Sequence, residues 1–176
     1  MGNDIIAYIQ KLELFGFFSG YCLIYTILFS LKSSSNSKVQ TLLQKLIDLL
    51  PYAYALTASL YLGMVVKNIS PGFSVRNLNA QFRLPYLQVI GLSGVFFWIP
   101  YFGKKPILSL IHSLVFFFFL LRDVFIQLKL SQGTEIIHNN MKVFTDSLLL
   151  NLITLVFISG CYFFLHHFFT SRNGTS

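Results

Sequence analysis

The sequence predicts an all-α, polytopic integral membrane bundle with about five transmembrane helices and short amphipathic interfacial segments, forming a single domain over residues 1–176. Three observations carry that reading. Hydrophobic residues make up 55% of the chain, and the mean hydropathy is +0.66. Only 11% of residues are charged, whereas a soluble domain carries about a quarter to keep its surface hydrated. Apolar stretches of the size needed to cross a hydrocarbon core, about 20 residues for about 30 Å, recur five times between Lys, Arg, Asn, Gly and Pro.

The first stretch runs from Leu14 to Leu31 without a charge and is closed by Lys32 and the polar loop Ser33-Ser34-Ser35-Asn36-Ser37. The next begins as an amphipathic helix. Val39, Leu42, Leu43, Leu46, Ile47 and Leu50 share one face, with Gln40, Thr41, Gln44, Lys45 and Asp48 opposite, which suits the headgroup region or packing against a partner. From Leu49 to Val66 the polar face vanishes and a second span is predicted, with Pro51 in its first turns, where a missing N–H costs least.

Residues 67–83 contain the turn signal Pro71-Gly72 and a short basic amphipathic piece, expected on the membrane surface. A third span is predicted from Leu84 to Phe102, with Trp98, Tyr101 and Phe102 as an interfacial aromatic cluster at its end. Gly103-Lys104-Lys105-Pro106 turns the chain into a fourth span, Ile107 to Leu128. Residues 129–146 connect it to a fifth, Ser147 to Phe169, and a polar tail follows.

The net charge of +7 does not indicate nucleic acid, because the thirteen Lys and Arg residues are scattered in ones to threes between apolar stretches. That distribution serves anchoring and attraction to anionic headgroups. Alternate loops carry six Lys/Arg on the N-terminal side and six on the other, so charge does not orient the chain; Arg122 tips it slightly toward a cytoplasmic N-terminus. Cys22 and Cys161 lie inside apolar stretches and imply neither a disulfide framework nor a zinc site. The first apolar stretch has no basic n-region before it and no small-x-small cleavage site after it, so a cleaved signal peptide is not expected. No fixed-period repeat and no inverted pair of broken helices is evident.

Arg122 and Asp123 stand inside the fourth span, where charge is expensive and marks either a buried partner or a pathway. Adjacent helical residues point about 100° apart, so the two are expected to contact different elements. Asn151 adds a polar group to the fifth span. Small residues that let helix backbones approach closely are Gly16 and Gly20, Ser59 and Gly63, Gly91 and Gly94, and Gly160. The fourth span has only Ser109 and Ser113, so its block Phe116-Phe117-Phe118-Phe119 is expected to face lipid or a large apolar partner. No metal site is predicted. The one arrangement that would admit haem pairs His112 with His166 or His167, which topology places toward the same side.

A phosphate loop, a nucleophile elbow, HExxH and paired carboxylates are all missing from the sequence. The expectation is therefore a non-catalytic multi-pass subunit, in a bacterial cytoplasmic membrane, that packs against other membrane proteins or copies of itself to build or regulate a transport, secretion or energy-coupling assembly. A small homo-oligomeric channel or carrier is the alternative, and a haem-binding redox subunit a further one.

Overall fold

The computed structural model describes residues 2–69, 85–129 and 134–173. Seven α-helices occur among them: α1 (Gly2–Phe18), α2 (Tyr21–Ser34), α3 (Ser37–Ile69), α4 (Pro85–Ser93), α5 (Pro100–Gly103), α6 (Pro106–Lys129) and α7 (Thr134–Asn173). One 3₁₀ helix, η1 (Gly94–Trp98), follows α4, and among the described residues there is no strand. The protein is an all-α helical membrane bundle.

Among the described residues four helical segments are long and apolar enough to cross a membrane: Tyr8–Ser33, Ser37–Asn68, Pro106–Ile126 and Asn140–Leu165. The expected third span is not among them, which corrects the count of five. Its residues form a nine-residue helix, a 3₁₀ turn and, after extended Ile99, the short α5. At 1.5 Å per residue α4 is about 14 Å long, roughly half of the 30 Å hydrocarbon thickness. Pro100, whose ring fixes φ and removes a donor, starts α5 after the break.

These short pieces nevertheless advance along α3. A Cβ on Gly91 would meet Leu14 and Tyr61, one on Gly94 would meet Ala58, and one on Gly103 would meet Tyr52. From α4 to α5 the neighbours on α3 thus shift from Tyr61 to Tyr52, about 14 Å along that helix.

The expected amphipathic stretch 39–48 and second span are one continuous helix, α3, with Pro51 in its interior. Of the predicted apolar face Leu43, Ile47 and Leu50 are buried, whereas Val39 and Leu42 are exposed; on the opposite face Gln40, Thr41, Lys45 and Asp48 are exposed. The fifth span and its preceding periodic segment likewise merge into α7. Most of the surface segment expected over 67–83 lies outside the described residues.

The core is built around aromatic rings. Phe18, at the end of α1, is fully buried and lies 4.9 Å from Phe116, 5.4 Å from Tyr61, 5.7 Å from Tyr54 and 5.9 Å from His112, centroid to centroid. Such edge and offset contacts add about 0.5–1.5 kcal/mol per pair beyond area burial. The first two candidate spans bury 50% of their most apolar windows within the bundle, the last two only 22%.

Candidate functional site

The first span is broken in its middle. Gly20 separates α1 from α2, and Gly20 approaches α7 so closely that a Cβ there would lie 2.5 Å from the Leu148 amide nitrogen. An interruption in hydrocarbon frees backbone groups that water cannot satisfy, so they must be met from within the protein. Side chains of α6 and α7 do this.

Ser113 inserts into the ladder. Its hydroxyl donates to the Phe18 carbonyl at 2.7 Å and accepts from the Cys22 N–H at 3.1 Å, the two groups a continuous helix would have joined directly. The Gly20 N–H donates to Ser147 Oγ at 2.8 Å, and Asn151 Nδ2 donates to the Phe17 carbonyl at 2.9 Å. Ser19 Oγ turns back to the Phe15 carbonyl at 2.6 Å, and the Cys22 thiol donates to the Ser19 carbonyl.

A second polar layer supports the first. Asn151 Nδ2 also donates to the Ser147 carbonyl, while Thr57 Oγ1 lies 3.4 Å from Asn151 Oδ1 and 3.1 Å from Thr154 Oγ1. Ser109 donates to the Pro106 carbonyl at 2.8 Å, which leaves the Tyr21 hydroxyl to donate to Ser109 at 2.6 Å. All of these side chains are buried.

His112 answers the other interruption. Where α4 tightens into η1, the Ile90 carbonyl accepts from His112 Nε2 at 2.7 Å and from Ser93 Oγ at 2.6 Å. A carbonyl only accepts, so Nε2 carries the proton, and in a neutral ring Nδ1 accepts from the Tyr54 hydroxyl at 2.7 Å. Both nitrogens are engaged within the fold, so using His112 as an axial haem ligand would strip the Tyr54 hydroxyl of its partner or leave the Ile90 carbonyl to Ser93 alone. His167 is exposed five positions beyond Tyr162 on α7, and the His166 side chain lies outside the described residues. Among the described residues no group of three His, Cys, Asp or Glu side chains could hold a metal ion.

Asp123 faces inward and pairs with Lys11 of α1, with 12% and 25% side-chain exposure respectively. Lys11 also lies 5.6 Å from the Phe15 ring centre. Arg122 points elsewhere: it is exposed beside a hollow of about 550 Å³ lined with Phe118, Leu121, Val124 and Phe125. The Phe block divides in the same way. Phe116 is fully buried against Phe18, which corrects the expectation that the whole block faces outward; at 100° per residue one of four consecutive positions must meet the core. Phe117 packs near Phe144, Phe119 against the core, and Phe118 is 67% exposed.

The small residues also part company. Gly20, Gly91 and Gly94 are buried at close approaches, and Gly16 makes ordinary contact with Val143 at 3.8 Å. Ser59 Oγ accepts from Trp98 Nε1 at 2.9 Å. Gly63 and Gly160 are exposed, and a Cβ at either position would have nothing within 4 Å of it. The sequence alone does not single out Ser19, Ser147, Thr57, Thr154, Tyr54 or Lys11, and it marks Ser109 and Ser113 only as small residues. No family model, no curated protein and no solved structure matches this chain.

Proposed function

We propose that this protein is a non-catalytic multi-pass subunit of a larger membrane assembly, held in a bacterial cytoplasmic membrane by its helices and packed against other membrane proteins or copies of itself. The observation that carries this reading is the outward face of α7. Phe157, Gly160, Cys161 and Phe164 follow one another at helical spacing and are all exposed, so Gly160 and Cys161 form a notch between two projecting rings. Small residues at an outward helix face are what close helix association uses in lipid, where apolar surface alone gives no driving force. Gly63 offers a similar open position on α3.

Two further points support a structural role. The polar groups at the helix break bind one another and the freed backbone, and Asp123 is paired with Lys11, so these groups are committed to holding the fold. The helical build suits a cytoplasmic membrane, since outer membranes are crossed mainly by β-barrels. Purification from native membranes in mild detergent tests the reading. Recovery with stoichiometric companion chains, or as a defined oligomer, is expected; recovery only as an isolated monomer contradicts it.

The helix break supports a second reading, a small carrier, because discontinuous helices near the membrane midplane are where carriers bind solutes. In that reading Asn151 and Ser113 would exchange the Phe17 and Phe18 carbonyls for a transported ion or solute. Flux through the reconstituted protein that disappears with Asn151→Ala would favour it; absence of flux, or flux indifferent to Asn151→Ala, Arg122→Ala and Asp123→Ala, removes it.

A further inference from the structure

At the end of the bundle where α3 begins and α7 approaches its close, Lys45, Asp48, Leu49, Tyr52, Gly103, Lys104 and Tyr162 enclose a cleft of about 320 Å³. It has a fixed wall: a Cβ on Gly103 would lie 2.7 Å from the Phe97 carbonyl and 2.9 Å from the Tyr52 ring, so the turn carrying Lys104 is pressed against α3. The neighbouring Lys105 is drawn away over the Tyr101 ring, 4.4 Å from its centre. Lys104 alone of the pair lines the cleft.

The charges in the cleft are unevenly satisfied. Asp48 accepts from Gln44 Nε2 at 2.7 Å, and Gln44 in turn accepts from Lys32. Lys45 and Lys104 form no ion pair among the described residues. Two ammonium groups and one carboxylate leave the cleft with a net positive charge, above a floor of Leu49 and the Tyr52 and Tyr162 rings. Trp98, Tyr101 and Phe102, which lead into this turn, are exposed aromatic residues of the kind that settle at headgroup depth.

We infer that this cleft binds the headgroup of an anionic, hydroxyl-bearing phospholipid such as phosphatidylglycerol, with the phosphate between Lys45 and Lys104 and a headgroup hydroxyl donating to Asp48. The net charge favours a headgroup of charge −1 over a zwitterion. Membrane depth and the apolar floor favour a lipid over a free phosphate ester, because acyl chains can leave along the exposed flanks of α3 and α7. The inference rests on the membrane fold and stands whether or not the protein is a subunit.

The test uses the full chain reconstituted into discs of mixed phosphatidylglycerol, phosphatidylethanolamine and phosphatidylcholine, re-extracted in mild detergent, with retained lipid counted by mass spectrometry. Phosphatidylglycerol enriched over its bulk share is expected, falling about fivefold for each of Lys45→Gln and Lys104→Gln, the worth of one lysine near an anionic surface. Lys38→Gln and Lys67→Gln, exposed lysines outside the cleft, should leave the enrichment unchanged. Circular dichroism confirms that the variants remain helical. Glycerol 3-phosphate added in detergent should compete poorly. No enrichment in the unmodified protein, preferential retention of phosphatidylethanolamine, equal loss in the control variants, or displacement by low concentrations of glycerol 3-phosphate would each overturn the inference.

Discussion

Along α6, the side that meets the broken first span and the side that looks outward obey different constraints. Inward, Ser109, His112, Ser113, Phe116 and Leu120 recur at helical spacing, and the three polar members each hold a named backbone or hydroxyl group. Outward, Ile111, Leu114, Phe118, Leu121, Arg122 and Phe125 are exposed. The inner side is therefore specified atom by atom, by hydrogen bonds that hydrocarbon makes obligatory. The outer side is specified only by what lies beyond it. The same division separates Gly20, wedged against the backbone of α7, from Gly160, whose Cβ position is open.

The contrast between the two sides is sharpest at the aromatic positions. Phe116→Ala empties the centre of the ring cluster and should cost about 4 kcal/mol of stability, read as a lowered unfolding midpoint in mixed micelles. Phe118→Ala, on the outer side of the same helix, should stay within about 0.5 kcal/mol in the same measurement.

The glycines follow. Gly20→Leu must push α7 away from the break, so a loss of about 3 kcal/mol is expected; Gly160→Leu should leave the isolated protein unchanged and instead reduce its recovery with companion chains. Removing one partner of the Lys11–Asp123 pair comes next. Asp123→Asn should cost about 2 kcal/mol, somewhat below a fully buried pair because Lys11 is partly exposed. The double change Lys11→Met with Asp123→Leu should recover much of it, since no charge is then stranded.

On the inward side the smallest expected loss is at the break itself. Ser113→Ala leaves the Phe18 carbonyl and the Cys22 N–H without their shared partner, at a cost of about 1 kcal/mol. Amide exchange at Cys22 should accelerate in this variant while exchange along the middle of α3 does not.

How far the sequence revealed this arrangement depended on the range of the interaction. Long apolar stretches identify the first, second, fourth and fifth spans because hydrocarbon thickness dictates their length. The third failed because a hydropathy pattern counts apolar residues without regard to Gly94 and Pro100, which interrupt the helix there. The break at Ser19-Gly20 was invisible for a related reason. Gly16 and Gly20 read as a packing pair, and the serines that stabilise an interruption, Ser113 and Ser147, lie about a hundred positions away on other helices. Asp123 announced itself as a charge in an apolar stretch, but Lys11 did not, since it precedes the stretch predicted to be the first span. The helical spacing that directs Phe116 inward and Phe118 outward was legible in principle. Which of the four rings meets the core is decided by Phe18 and Tyr54, and only the fold brings those together.

Photo-crosslinking in native membranes tests the outward face of α7 most directly. With a photoreactive side chain at Phe157 or Phe164, the account predicts a discrete higher-mass adduct containing a second protein chain, diminished by Gly160→Leu. Adducts with lipid alone at both positions would contradict it.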